Sequence, residues 1–235
     1  MSNVHWFDTV SSTMHEAARL ADEGCAHGTV VAANEQTAGH GRHGRAWHSE
    51  KDAGLYCTFI LRPRQLDPAN VPVITLALGL AAADAIALPC DLRWPNDVLI
   101  RNRKVCGILT TLHAGAVLAG IGINANHTAF PPDLEPIATS LRIENNGLPV
   151  DRHALLNRLQ TAVLSHCAIL EEQGPKAIID LFTRASSYAS GRRVRLEDTG
   201  ETGITDGLDS AGFLMLKRDD GRRITIYAGG VRPAQ

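Results

Sequence analysis

The nine residues from Gly39 to Trp47, GHGRHGRAW, constrain this chain more than any other stretch. Gly39, Gly41 and Gly44 let the backbone turn sharply and approach a ligand with its N–H groups turned inward. Arg42 and Arg45 add forked, permanently charged donors that suit phosphate and carboxylate oxygens. Trp47 closes the run with a flat aromatic face, for a ligand ring or for the core. The spacing is neither that of a P-loop nor that of a dinucleotide fingerprint. Alone, it describes a mobile anion-binding loop, and a solvated basic loop without a dedicated role fits the same residues.

The charge balance makes that loop matter. Lys and Arg total 23 against 25 Asp and Glu, a net charge of −2, so no general basic field invites nucleic acid. Any anion site has to be made locally. The 235 residues allow one large domain, or a large one with a small one. Five scattered cysteines without a C-x-x-C pair argue against a disulfide framework or a zinc site, and place small apolar core residues in a reducing compartment. No signal-like N-terminus and no membrane-length apolar run is present, so the expected location is cytoplasmic, without a membrane partner.

Taken in order, Val4 to Phe7 reads as an edge strand. Thr13 and Glu16 have capping-box spacing for a helix running to about Glu23. Strands follow at Thr29 to Ala33 and Leu55 to Leu61, on either side of the glycine loop. Ala69 to Leu88, after Asp67-Pro68, reads as an apolar helix that Pro89 stops. Leu92 to Trp94, Val98 to Ile100, Val105 to Leu112 and Ala116 to Ile123 are short strands joined by tight turns, which indicates antiparallel hairpins. Asp151 is placed to cap an amphipathic helix to about Glu172, and a shorter helix spans Lys176 to Ala185. From Gly191 the chain becomes short strands separated by Gly and Asp-Gly turns. The reading is an α+β protein: a mixed, largely antiparallel sheet with helices packed on one face over residues 1–188, and a small C-terminal SH3-like β-barrel over residues 189–235.

Four further stretches carry chemistry. Arg93-Trp94-Pro95-Asn96-Asp97 puts an amide and a carboxylate at a proline-set turn, although such residues are also ordinary turn formers. Lys104 begins a strand just across a hairpin from Asp97, ahead of Gly107. Gly120-Ile-Gly-Ile-Asn124-Ala-Asn126 ends a strand with glycines and brings two asparagines to its mouth. Ser12, Thr13 and Gln36 offer hydroxyl and amide groups, or merely cap a helix and solvate a surface.

In that order, GxGRxGRxW, RWPND, KxxGIL and GIGINxN resemble the bacterial biotin protein ligases, and the likeness runs through Phe130-Pro131-Pro132 and Ala138 to Leu141 into the C-terminal strands. The resemblance implies an enzyme that joins biotin to AMP from ATP, with Mg²⁺, and passes the biotinyl group to a lysine of a biotin carboxyl carrier protein domain of an acyl-CoA carboxylase. It assigns catalytic roles to Lys104, Arg42 and Asp97. Ser12, Thr13, Met14 and Gln36 fall at its biotin-binding positions. Gly39, His40, Gly41, Arg42 and Arg45 form its ligand loop, Trp47 packs on adenine, and Gly107 and Asn124 lie at the nucleotide. Asn96 and Asp97 either orient the incoming lysine or bind metal. Closure of the loop over the hydrolysis-prone adenylate would exclude water.

The sequence departs from the family at three places. His40 stands for a usual Arg, Met14 for a usual Asn, and Arg93 for a usual Lys; His43 is a milder change. Few residues precede Ser11, so the expectation is a ligase without a DNA-binding domain and with no nucleic-acid partner. A homodimer through an edge strand is common among relatives. A lipoate or octanoate ligase shares the fold but carries RRxxGGG-type or RGG-type motifs, which this sequence lacks. A non-catalytic biotin sensor is the alternative from another class.

Overall fold

The eight residues Gly54–Leu61 (β3) are all buried, and the rest of the larger sheet is arranged around them. The computed structural model describes residues 3–64 and 70–234. The other strands of this sheet are β1 (Val4–Val10), β2 (Thr29–Gln36), β4 (Asp91–Arg93), β5 (Asp97–Ile100), β6 (Arg103–His113) and β7 (Ala116–Asn124). Their order is β1-β2-β3-β7-β6-β5-β4. Only β1 and β2 run parallel among these neighbours; every other pair is antiparallel. The β6–β7 hairpin turns through Ala114 and Gly115, both at positive φ, which suits the twist of a two-residue hairpin.

A strand buried along its whole length needs cover on both faces, and the helices supply it. Helix α1 (Thr13–Asp22) packs on one face, where Ala17, Leu20 and Ala21 meet Val31, Ile60 and Leu118. Helices α2 (Val71–Ile86), α4 (Arg152–Gln173) and α5 (Pro175–Ala185) join the core of the other face, with Leu55, Phe59 and Ile121. The expectation of helices on a single face is therefore corrected. The short α3 (Leu141–Glu144) lies between β7 and α4 in sequence.

Helix ends follow side-chain chemistry. Asp151 caps α4 as expected, accepting from the amides of His153 and Ala154 at 2.8 and 3.1 Å. At α1 the cap is Ser12, whose hydroxyl accepts from Met14 N at 3.3 Å, rather than Thr13. Helix α2 begins after Asn70, and the expected start at Ala69 lies outside the described residues.

Strands β8 (Ser190–Leu196), β9 (Thr202–Leu208), β10 (Leu214–Arg218), β11 (Arg223–Ile226) and β12 (Val231–Pro233) form a second, antiparallel sheet in the order β11-β10-β9-β8-β12. Its Val194, Leu214 and Val231 belong to the same continuous core as Leu76 and Phe182. A side chain of that size contributes about 1.5–3 kcal/mol when fully buried. Trp94 Nε1 also donates to Gly212 O at 3.0 Å, which ties the turn before β5 to this sheet.

Candidate active site

A cavity of about 240 Å³ opens above the ends of β6 and β7 and beneath the glycine loop. Ser12, Thr13, Met14, Gln36, His40, Gly41, Arg42, Arg45, Trp47, Asn96, Asp97, Lys104, Gly107 and Asn124 all line it. Gly39 does not line the cavity but supports its wall. A Cβ there would meet Ser49 Oγ at 2.7 Å and Gln36 Nε2 at 2.8 Å, so a larger residue would displace the Gln36–Ser49 hydrogen bond.

The antiparallel register of β6 and β7 sets Gly107 beside Gly122, and these two glycines make the floor. The Trp47 ring lies on it: a Cβ at Gly122 would come within 2.5 Å of the indole, and one at Gly107 within 2.9 Å of both Trp47 and Lys104. Met14 Sδ occupies the corresponding space above Gly120. The buried Trp47 Nε1 has no hydrogen-bond partner.

At one end the polar groups form a chain. Thr58 Oγ1 donates to Thr13 Oγ1 at 2.9 Å, and Thr13 N and Oγ1 both donate to Gln36 Oε1, at 2.9 and 3.1 Å. Gln36 Nε2 donates to Ser49 Oγ at 3.1 Å, and Ser49 donates to Trp47 O at 3.2 Å. This chain links the start of α1 to the foot of the loop. Ser49 and Thr58 carry no motif of their own, and sequence reasoning missed them.

The other end is charged. Lys104 Nζ lies 2.5 Å from Asp97 Oδ1, and Arg93 donates to Asp97 Oδ2 at 2.6 Å. Burial pushes the Asp97 carboxyl up, but Lys104 and Arg93 outweigh it and leave the group below the usual carboxylate range. Each oxygen faces one cation, so a metal ion or an incoming amine would share Asp97 with Lys104 and Arg93. Arg93, the departure whose purpose the sequence left open, is a buried counter-charge to Asp97. Lys104 Nζ also sits 5.2 Å from the Trp47 ring centre.

The loop folds as a tight hairpin with a 3₁₀ turn over Arg42–Gly44. Trp47 N donates to Gly39 O and Gly41 N to Arg45 O, and His43 and Gly44 take positive φ. Arg42 donates to Asn96 Oδ1 at 3.3 Å and to Gly229 O at 2.9 Å. Burial lowers the pKa of its guanidinium, against the pull of Asp97. Arg45 donates to Glu197 Oε2 at 3.0 Å, and Arg232 pairs with the same carboxylate. Burial raises the Glu197 carboxyl, but Arg232 and Arg45 outweigh it and hold it below its ordinary value. Glu197, Gly229 and Arg232 belong to the C-terminal sheet region, and no sequence signal pointed to them.

His40 is exposed, with its backbone bridged to Ala46 and its ring 3.4 Å from Ala38 O. Asn124 lines the cavity while its amide donates to Thr139 O at 3.0 Å. Asn126, read as a second asparagine at the mouth, instead pins Val150 through both its amide atoms.

The shape and chemistry define an anion-handling pocket with a polar end, an apolar glycine floor and a cationic end. The chain belongs to the biotin/lipoate A/B protein ligase family, whose model matches residues 6–127. Residues 189–231 match the biotin protein ligase C terminal domain. It is 34% identical to the biotin–[acetyl-CoA-carboxylase] ligase of Mycobacterium tuberculosis, over 95% of this chain and 85% of that protein. It is likewise 34% identical to the bifunctional ligase/repressor BirA of Bacillus spizizenii, over 95% of this chain and 72% of the relative. Among solved structures, a biotin protein ligase from Aquifex aeolicus in complex with biotin and ATP superposes with a TM-score of 0.86 at 31% identity, covering 99% of this chain and 98% of that one.

Proposed function

We propose that this chain is a biotin protein ligase: it activates biotin with ATP to biotinyl-5′-AMP, then transfers the biotinyl group to a lysine of a biotin carboxyl carrier domain of an acyl-CoA carboxylase. One observation carries the reading. The Thr13–Gln36 polar end and the Lys104–Asp97–Arg93 cationic end face one cavity across the Gly107–Gly122 floor.

In the first half-reaction a carboxylate oxygen of biotin bonds to the α-phosphorus and the bond to pyrophosphate breaks. Two anions must approach, so fixed cations lower the barrier by stabilising charge that develops in the transition state. Lys104 and Arg42 fit that role, with Arg45 nearer the phosphates. Asp97 holds Lys104 in place through their ion pair. Ser12, Thr13 and Gln36 pair with the ureido ring, whose buried polar atoms would otherwise each cost about 1–3 kcal/mol. Trp47 takes the adenine side. In the second half-reaction the carrier's neutral amine attacks the acyl carbon, AMP leaves with the C–O electron pair, and the amine proton passes to solvent.

Magnesium belongs with the nucleotide in this scheme. Asp97 and Glu197 are the only carboxylates among the described residues lining the cavity, and both are ion-paired, so phosphate oxygens are its natural ligands. Bound there, it would neutralise phosphate charge. The division into a catalytic part over 1–188 and a small C-terminal part over 189–235 is part of the proposal, with Glu197 and Gly229 contributing to the loop's setting. A homodimer would form at β1 or β4, the outer strands of the larger sheet.

The test is mass spectrometry of the purified protein with ATP, Mg²⁺ and biotin, and with lipoate in a parallel tube. Biotinyl-AMP with biotin alone is expected. A lipoyl adenylate instead would move the chain to the lipoate branch, and biotin binding without any adenylate would make it a sensor.

A further inference from the structure

A second polar cluster sits at the foot of the loop, on the wall of the same cavity, which His48, Tyr56 and Phe130 also line; the chemistry assigned above uses none of them. His48 and Glu50 come just after Trp47, and His127 comes after β7, so two distant segments meet there. One ligand-capable atom from each of His48, Glu50 and His127 lies within 4.8 Å of the other two. His48 Nε2 is 3.7 Å from Glu50 Oε2.

The buried member is His127, which is 1% exposed. Tyr56 Oη donates its one proton to Glu50 O at 2.9 Å, so His127 Nε2, at 3.3 Å, donates to the Tyr56 oxygen. That tautomer leaves a lone pair on His127 Nδ1, which is buried and has no partner. A buried polar atom left unpaired is unfavourable unless a ligand completes it. The His127 ring is held in place by stacking on Phe130, with centroids 5.0 Å apart and planes 20° apart.

We propose that His48, Glu50 and His127 form a binding site for a divalent cation of the zinc class, completed by water from the solvent side. Two imidazoles and one carboxylate suit Zn²⁺ and its neighbours, whereas Mg²⁺ prefers an all-oxygen shell. No cysteine takes part, so the absence of a C-x-x-C pair does not bear on this site. Ligands of one ion stand closer together than these atoms do, so His48 and Glu50 must swing inward. Their side chains are 34% and 58% exposed, with the His48 ring against those of His127 and Phe130, while Tyr56 and Phe130 hold His127. An ion there would tie the foot of the glycine loop to the segment after β7, next to Trp47. The inference stands apart from the ligase reading, because it needs neither biotin nor nucleotide.

The test is calorimetric titration of tag-free full-length protein with ZnCl₂ alone, with visible absorption of the Co²⁺ form reporting coordination. One equivalent bound, a tetrahedral Co²⁺ spectrum, and a melting temperature raised by Zn²⁺ are expected. His48→Ala and Glu50→Ala should each weaken binding by about tenfold or more, and neither side chain is buried, so the folded chain persists. No saturable binding by the wild type would overturn the proposal. So would undiminished binding in both variants, since another of the 10 histidines would then hold the ion.

Discussion

Lys104→Ala tests the cationic end most directly. In the wild type, Asp97 is buried between Lys104 and Arg93, at 2.5 and 2.6 Å. Removing Lys104 leaves one carboxylate oxygen buried without its cation. Breaking a buried pair costs about 3–5 kcal/mol, but the Lys104 side chain is 28% exposed and Arg93 remains, so about 2 kcal/mol is expected at pH 7. For a chain of this length that is a fall in melting temperature of about 4–8 °C. The pH dependence follows from the sign of the shift. The folded pKa of Asp97 is lowered, so its contribution is present above the unfolded value of about 3.9 and is lost as pH falls through the folded value. In the variant the carboxylate has lost a partner, so the penalty is largest at neutral pH and shrinks as acid protonates Asp97. Denaturant midpoints at pH 7 and near pH 4 would show this, and Asp97→Asn combined with Lys104→Ala should recover part of the loss. Adenylate formation should fall about 10²–10³-fold, as for loss of one fixed transition-state donor. A variant as stable as wild type at pH 7, or a penalty that grows on acidification, would refute the buried-pair reasoning.

Four further outcomes follow from the cavity. Gly122→Ala should push the Trp47 indole off its floor and weaken nucleotide binding several-fold, with a shift in tryptophan fluorescence; unchanged ATP affinity would show that the ring does not need that contact. Gln36→Ala breaks the chain from Thr13 to Ser49 and should raise the KM for biotin about tenfold, equivalent to about 1.4 kcal/mol, while leaving ATP affinity in place. Amide exchange over residues 39–47 should slow when the adenylate is bound, and equal protection in the two states would remove the loop from any closing role. Glu197→Gln should loosen Arg45 and speed exchange in the same segment without ligand.

Much of the fold was legible because period and punctuation agreed. The alternation and tight turns of β4 to β7 showed hairpins, and Asp151 announced α4 through the chemistry of capping amides. The Thr13–Glu16 spacing misled, because Ser12 was equally able to cap and Thr13 was taken by Gln36 and Thr58 across the sheet. The single-face packing also failed, since a uniformly apolar β3 does not say which side each residue serves. Asn126 read as a site residue because strand-end asparagines look alike until their partners are known.

By itself the sequence determined the element types, the order of the motifs and which residues would carry charge, because those depend on spacing along one chain. The partnerships were decided only by the tertiary structure. The pairing of Arg93 and Lys104 on one carboxylate, the glycine floor under Trp47, and the reach of Glu197 and Gly229 to the loop all join residues far apart in sequence. Burial and register set them, and both come from the packing of two sheets and their helices around a shared core rather than from any local pattern.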